Sequence, residues 1–230
     1  MANPGMTPPA AELQSQTIGP AANAAGSIVW LHGMGQAGPA MYEVARAAGL
    51  DLLPVRQVFP TAPYRDVGIV RSGPIRSWLV QTVSKLETAD PLEAGAAIAA
   101  VRSVVGREAD VVGACRVILA GFSQGAAMTL MTGLTYPDRL AGLAVYAPSL
   151  PLARHSDKSR FKANARNHVW IGHGEHDDVI PMARGTEIRD GLLRNGYDVR
   201  WHSYPTGHDA FGGAAGDLRR FVTEILGLSS

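Results

Sequence analysis

The sequence lacks several features that would place it in a specialised class of protein. Cys115 is the single cysteine, so neither an internal disulfide nor a cysteine-rich zinc site can form. An excess of one charge is also missing, because 21 Lys and Arg residues balance 20 Asp and Glu residues. Without a large basic field we expect no nucleic-acid partner. No apolar run approaches the ~20 residues of a membrane-spanning helix, so we expect no stable membrane insertion.

The first 25 residues lack the pattern of an export signal. They are rich in Ala, Pro, Asn and Gly and have no basic segment followed by a continuous apolar one. We interpret this region as a flexible leader, assigned to residues 1–12, although residues 13–18 could still add an edge strand. The absence of an export signal and the single thiol predict a cytoplasmic protein.

Strand-like and helix-like segments alternate along the rest of the chain. This alternation favours an α/β protein with a mostly parallel central sheet and helices on both faces. Two segments with weak periodicity, residues 64–76 and 149–167, are interpreted as loops. Short apolar runs predict strands at residues 27–31, 55–59, 117–120, 143–146, 168–171 and 199–204. Helical patterns are found at residues 40–48, 90–105, 124–134 and 181–196, and around an apolar stripe at residues 218–226.

A G-x-S-x-G motif follows the third predicted strand directly. Its fixed positions are Gly121, Ser123 and Gly125. On a tight strand-to-helix turn the serine hydroxyl projects from the sheet edge, while the glycines let strand and helix approach closely. The N-terminus of the next helix directs N–H groups toward a developing oxyanion. The strand before the motif and the helix after it favour a nucleophile elbow over a turn with an inert serine.

A serine nucleophile needs a base and an orienting acid. In this arrangement the acid and then the base follow the serine along the chain, each on a loop after a strand. Asp177 lies 54 residues after Ser123, and His208 lies 31 residues after Asp177. Each interval leaves room for the intervening strand and helix. Spacing alone does not choose between Asp177 and Asp178 as the acid.

A metal site is the alternative use of this acidic segment. His173, His176 and Asp177 are close in sequence, but they lack the H-E-x-x-H pattern and a cysteine partner. We therefore predict no metal ion.

The glycine-rich turn at residues 31–35 is predicted to complete an oxyanion hole. Such a hole needs a second backbone donor besides the N–H of Gln124. The glycines allow the backbone to approach the substrate, and Met34 would supply the second N–H. His32 could be catalytic, but we favour a ring that supports the turn through hydrogen bonds.

Four segments carry a resemblance to a known family. They are LHGMG at residues 31–35, FPTAP at 59–63, GFSQG at 121–125 and HGEHDDVIP at 173–181. Together they resemble the phospholipase/carboxylesterase family of α/β-hydrolases, which includes bacterial carboxylesterases and acyl-protein thioesterases. The resemblance covers nearly the whole chain. It implies the α/β-hydrolase fold and a single catalytic domain at residues 13–230.

The resemblance also implies roles for individual residues. It places the acid on Asp177 rather than Asp178 and the base on His208, and it places the oxyanion donors on Met34 and Gln124. It further implies a serine esterase without cofactor, with a small open acyl groove and a possible homodimer. The positions that we assign to substrate binding are Trp78, Leu150 and Val179.

We expect a serine carboxylesterase that hydrolyses short- to medium-chain esters of small molecules through an acyl-enzyme. A deep lipase-like tunnel would need a long apolar cap segment, and none is visible. One alternative is an acyl-protein thioesterase or lysophospholipase with the same chemistry. The other is a binding protein with a hydrolase fold and no turnover.

Overall fold

A computed structural model describes residues 12–68, 73–80, 91–149, 164 and 166–228 of the chain. The strands are β1 (Ser15–Ile18), β2 (Gly26–Leu31), β3 (Val55–Pro60), β4 (Tyr64–Arg65), β5 (Ile75–Arg76), β6 (Val117–Phe122), β7 (Gly142–Tyr146), β8 (His168–Gly174) and β9 (Asp198–Tyr204). The α-helices are α1 (Gly38–Ala47), α2 (Pro91–Val112), α3 (Gln124–Gly133), α4 (Met182–Arg194) and α5 (Ala215–Leu226).

Seven strands form one sheet in the order β1-β3-β2-β6-β7-β8-β9. All neighbours are parallel except β1, which is antiparallel to β3. Parallel neighbours need a crossover connection, and helices supply it between most of these strands. The predicted class, a mostly parallel sheet covered by helices, is confirmed.

Alternate side chains of the central strands lie on opposite faces of the sheet and contribute to two separate hydrophobic cores. In β2, Val29 and Leu31 face the core formed with α2, α3 and α4, whereas Ile28 and Trp30 face the core formed with α1 and α5. All four side chains are fully buried. Burial on both faces explains why β2 and β6 read as continuous apolar runs rather than as an alternating pattern.

The edge strand that residues 13–18 could add is present as β1, which lies outside the leader assigned to residues 1–12. Ser15 pairs with Pro60 and Ile18 with Gln57, so this segment forms the outer edge of the sheet. Its side chains are mostly exposed, so backbone hydrogen bonds rather than apolar burial hold it in place. A pattern of hydrophobicity cannot reveal such a strand. The predicted leader up to residue 11 lies outside the described residues.

The first predicted loop is partly ordered by pairing between its two ends. β4 and β5 form a two-stranded antiparallel ribbon in which Tyr64 pairs with Arg76. The guanidinium of Arg76 also lies 3.9 Å from the centre of the Tyr64 ring, a favourable cation–π distance. The loop interpretation is therefore wrong at these ends. Residues 69–72 within this segment, and most of the second predicted loop, lie outside the described residues.

None of the described helices is both long enough and apolar enough to cross a membrane.

The elbow glycine Gly125 lies where helix α3 meets strand β2, with no room for a side chain. A Cβ added there would overlap the Leu31 carbonyl oxygen and lie 2.6 Å from the His32 carbonyl oxygen, closer than real Cβ contacts. Backbone atoms of a central strand can move aside only at a large cost in free energy. We therefore expect Gly125→Ala to lower the free energy of unfolding by about 3 kcal/mol. Urea denaturation measures the change.

The matched control is Gly95→Ala on the exposed side of α2. A Cβ added at Gly95 meets nothing within 4 Å. Alanine should therefore raise the free energy of unfolding there by about 0.5–1 kcal/mol, since glycine is a poor helix former. Equal effects of the two substitutions would contradict the close contact between α3 and β2.

Candidate active site

Ser123 occupies a strained turn between the end of β6 and the start of α3. Its φ of 55° and ψ of −118° lie in a region that residues other than glycine rarely adopt. The backbone holds it there, because the Ser123 N–H donates to the carbonyl oxygen of Tyr146 at 3.0 Å. This strained conformation places the hydroxyl beyond the end of the sheet, as a nucleophile elbow requires.

Three side chains from three strand ends form a continuous hydrogen-bond chain. The Oγ of Ser123 lies 3.0 Å from Nε2 of His208, and Nδ1 of the same ring lies 2.8 Å from Oδ2 of Asp177. These residues follow β6, β9 and β8 respectively, and parallel strands bring their carboxyl ends to one edge of the sheet. Since a carboxylate only accepts, the ring proton belongs on Nδ1, and Nε2 accepts from the serine hydroxyl. This arrangement can deprotonate a serine for attack on a carbonyl carbon.

The carboxylate of Asp177 is fully buried and accepts three hydrogen bonds, one of them from His208. Its other oxygen, Oδ1, accepts the backbone N–H of Val179 at 2.9 Å and that of Ile180 at 2.7 Å. Asp178 is exposed. The geometry thus brings Asp177 to His208 and leaves Asp178 in solvent, which spacing alone could not decide.

The two histidines near Asp177 differ in burial and in their contacts. His173 is buried and its Nε2 donates to the carbonyl oxygen of Ile180 at 2.8 Å, while His176 is exposed. Burial lowers the pKa of His173, which favours the neutral ring. Within the part of the chain that the structure describes, no three His, Cys, Asp or Glu residues are grouped as a metal ion would need.

The glycine-rich turn offers a backbone donor beside the elbow. Its flanking amides are engaged: the Gly33 N–H donates to Oε1 of Gln36 at 2.9 Å, and the Gly35 N–H donates to the Arg76 carbonyl oxygen at 2.8 Å. Between them, the Met34 N–H makes no hydrogen bond with any described residue. The other predicted donor, the N–H of Gln124, is at the N-terminus of α3.

His32 supports this turn from beneath. Its Nδ1–H donates to the Gly33 carbonyl oxygen at 2.7 Å, and its Nε2 accepts the Ala62 N–H at 3.0 Å. The ring is fully buried, and burial lowers the pKa of His32 to about 4. A neutral ring with both nitrogens engaged matches the supporting role and leaves no nitrogen for catalysis.

The lowered pKa of His32 makes stability depend on pH. The folded pKa of about 4 lies below the ordinary 6.5, so the unfolded chain binds the proton more readily between these values. The contribution is complete above pH 6.5 and falls as the pH drops toward 4, by about 3 kcal/mol in the free energy of unfolding. Urea denaturation at pH 7, 5.5 and 4.5 should show the wild type losing more stability than His32→Gln. A difference that does not change with pH would contradict this linkage.

The side chain of Gln124 has a structural role that the sequence did not predict. Its Oε1 accepts the Trp78 N–H at 2.8 Å and the Ser77 hydroxyl at 3.0 Å, and its Nε2 donates to the Leu79 carbonyl oxygen at 3.1 Å. The residue after Ser123 thus fixes residues 77–79 to the elbow. The Gln124 side chain is fully buried. Its burial indicates this role in the structure, but nothing in the sequence shows that the side chain is buried.

The residues assigned to substrate binding differ in position. Trp78 is only 1% exposed, and its indole N–H donates to the His32 carbonyl oxygen at 2.8 Å. It offers almost no surface to a substrate. Its assignment to substrate binding is therefore corrected to a role in supporting the glycine-rich turn. Val179 is 55% exposed and lies two residues after Asp177, and its assignment to substrate binding stays a prediction. Leu150 lies outside the described residues.

Comparisons with known proteins agree on one family. A family model described as Phospholipase/Carboxylesterase matches residues 13–226. Acyl-protein thioesterase 1 of Mycosarcoma maydis is 28% identical over 219 residues, which cover 87% of this chain and 91% of that protein. Carboxylesterase SOBER1 of Arabidopsis thaliana is 29% identical over 185 residues, which cover 77% of this chain and 80% of that protein.

Solved structures show the same fold. The crystal structure of Arabidopsis SOBER1 is 25% identical with a TM-score of 0.76, and it covers 87% of this chain and 99% of that one. The crystal structure of Zea mays acyl-protein thioesterase 2 is 26% identical with a TM-score of 0.76, covering 93% and 99%.

Proposed function

This chain belongs to the phospholipase/carboxylesterase family of α/β-hydrolases, and from that premise we propose that it is a serine carboxylesterase for short- to medium-chain esters. The observation that carries the proposal is the hydrogen-bond chain from the Ser123 hydroxyl through the His208 ring to Asp177. A binding protein would have no physical need for these three groups together.

The acylation step uses the His208 ring as base and then as acid. Nε2 of His208 takes the hydroxyl proton while the Oγ of Ser123 forms a bond to the ester carbonyl carbon. The resulting oxyanion accepts hydrogen bonds from the N–H groups of Met34 and Gln124. As the carbon–oxygen bond to the alcohol breaks, His208 gives the proton to the leaving oxygen. The products are a free alcohol and an acyl-Ser123 ester.

Deacylation repeats these steps with water. His208 takes a proton from water as the hydroxide oxygen bonds to the acyl carbon, and the same two N–H groups hold the second oxyanion. The bond to Oγ then breaks, and the proton on Nε2 returns to Ser123 as the carboxylic acid leaves. In both steps Asp177 orients the ring and stabilises the imidazolium.

A thioesterase acting on acylated proteins is the second candidate. The relative from Mycosarcoma maydis is named an acyl-protein thioesterase, and a thioester carbonyl fits the same nucleophile, base and oxyanion donors. A lysophospholipase would use the same machinery again. The sequence has no long apolar cap segment. We therefore favour esters of short acyl chains as substrates over acylated proteins and lysophospholipids.

A panel of p-nitrophenyl esters from acetate to palmitate, assayed beside an S-acylated peptide, separates the candidates. We expect the highest kcat/KM at short chains. Protein pretreated with a fluorophosphonate is the matched control, and mass spectrometry should find one adduct, on Ser123. A maximum at long chains or on the thioester would favour the second candidate. The absence of both turnover and adduct would overturn the enzymatic proposal.

A further inference from the structure

Tyr146 carries a buried hydroxyl that the proposed chemistry does not use. It is the last residue of β7 and is fully buried, and burial raises its pKa, so the phenol stays neutral. Its carbonyl oxygen is the acceptor that holds the N–H of Ser123. The backbone of this residue is therefore already part of the nucleophile elbow.

The hydroxyl of Tyr146 contacts both arms of the loop that carries the base. Its oxygen lies 3.0 Å from Oγ1 of Thr206 and 3.1 Å from the carbonyl oxygen of Gly212. A carbonyl only accepts, so the phenol proton goes to Gly212 and the Thr206 hydroxyl donates to Tyr146. Thr206 precedes His208 by two residues and Gly212 follows it by four. One oxygen atom thus bridges the two sides of the loop.

The ring of Tyr146 cannot move independently of the sheet. It is stacked at 6.4 Å on Trp170 and at 6.1 Å on Tyr204, and it contacts Phe211 at 5.3 Å between ring centres. Phe211 belongs to the base loop and has a positive φ of 55°, a conformation that needs support from its surroundings. The packed ring therefore gives the hydroxyl a fixed position from which to hold the loop.

We propose that Tyr146 is a positioning residue that sets the distance between Ser123 and His208. Its backbone holds the nucleophile, and its hydroxyl holds the loop of the base. The 3.0 Å contact between the two catalytic side chains joins loops from different strands, so it depends on such a link. This inference rests on the proposed function and adds to it a residue that touches neither substrate nor reacting atoms.

The substitution Tyr146→Phe tests the proposal because it keeps the ring and removes the bridging oxygen. We expect kcat per active site to fall about tenfold, since a small misplacement of the base is costly, while KM stays within twofold. Active sites are counted by fluorophosphonate titration, so a fraction of unfolded protein does not affect the value. The rate of labelling should fall by the same factor, because that reaction needs the same base.

Thr206→Val removes the other side of the same hydrogen bond. We expect a similar loss of kcat, and the double variant Tyr146→Phe/Thr206→Val should lose little more than either single variant. Losses that simply multiply would mean that the two hydroxyls act independently, and would overturn the bridge.

The matched control is Tyr204→Phe in the same aromatic stack. Its hydroxyl donates to Oδ2 of Asp217 on α5 at 2.8 Å rather than to the base loop. We expect this variant to lose stability to a similar extent and to keep its kcat per titrated site. An equal loss of kcat in Tyr204→Phe, or a kcat within twofold of wild type in Tyr146→Phe, would overturn the proposal.

Amide hydrogen exchange tests the bridge without relying on turnover. The amides of Asp209 and Gly212 donate within the base loop, to the carbonyl oxygens of Gly207 and Asp209. We expect them to exchange faster in Tyr146→Phe than in Tyr204→Phe, and equal exchange would count against the bridge. A wild type without turnover or labelling would instead refute the proposed function, so the two failures are distinguishable.

Discussion

Substituting Ser123 by alanine is expected to lower kcat on carboxylic esters about a million-fold, the scale typical of removing a serine nucleophile. The Ser123 hydroxyl is the group that the His208 ring contacts at 3.0 Å, and removing it leaves the ring with no proton to accept. Binding through the rest of the site should persist. The measurement is hydrolysis of p-nitrophenyl acetate, with the unfolding midpoint recorded beside it.

A second substitution at the same position separates catalysis from strain. Alanine keeps the Cβ that makes a φ of 55° unfavourable, whereas glycine removes it. Glycine relieves about 1–3 kcal/mol of backbone strain. This gain exceeds the free-energy cost of the extra conformational entropy that glycine gives the unfolded chain. We expect Ser123→Gly to be more stable than Ser123→Ala by about 1 kcal/mol, and both to be inactive. An alanine variant at least as stable as the glycine variant would contradict the strain at the elbow.

Asparagine at position 177 is expected to lower kcat/KM about 10,000-fold, as removal of the charge from such an acid does elsewhere. The amide can still accept the N–H groups of Val179 and Ile180 through its oxygen. Its NH₂ group would then face the Nδ1–H of His208. Both groups are hydrogen-bond donors, so no hydrogen bond could form between them. The ring would turn to the tautomer with its proton on Nε2, which cannot accept the proton of Ser123.

Asp178→Asn is the matched control for this prediction. It makes the same chemical change one residue away, on a side chain that is exposed. We expect its kcat/KM to stay within twofold of wild type. Equal losses in the two variants, or the larger loss at Asp178, would refute the assignment of the acid.

The catalytic candidates could be predicted from sequence because each follows a strand. Ser123 lies within a motif, and the order of Asp177 and His208 along the chain matches the order of strand ends in a parallel sheet. Choosing Asp177 over Asp178 needed either the family resemblance or the structure. Spacing places a loop at one edge of the sheet, but it does not say which of two adjacent side chains points inward.

Contacts between distant elements could not be predicted in this way. Glu108 on helix α2 would be expected in solvent, yet it is 5% exposed and accepts the Ser27 hydroxyl at 2.7 Å and Nε of Arg56 at 2.8 Å. The burial of Trp78 and the bridge made by Tyr146 are of the same kind. Each depends on the packing between elements, which periodicity along one segment does not contain.

The position of strand β9 has a consequence for how the site forms and is lost. Among the described strands β9 pairs with β8 alone, and the loop that follows it carries His208. Ser123 and Asp177 come from strands deeper in the sheet. The site is therefore complete only after β9 has paired with β8 and His208 has reached Ser123, a contact between residues 85 apart in the sequence, of the non-local kind that forms slowly. Because local opening at this edge separates His208 from Ser123, catalytic competence should disappear in partial unfolding while the central strands β2, β6 and β7 are still paired.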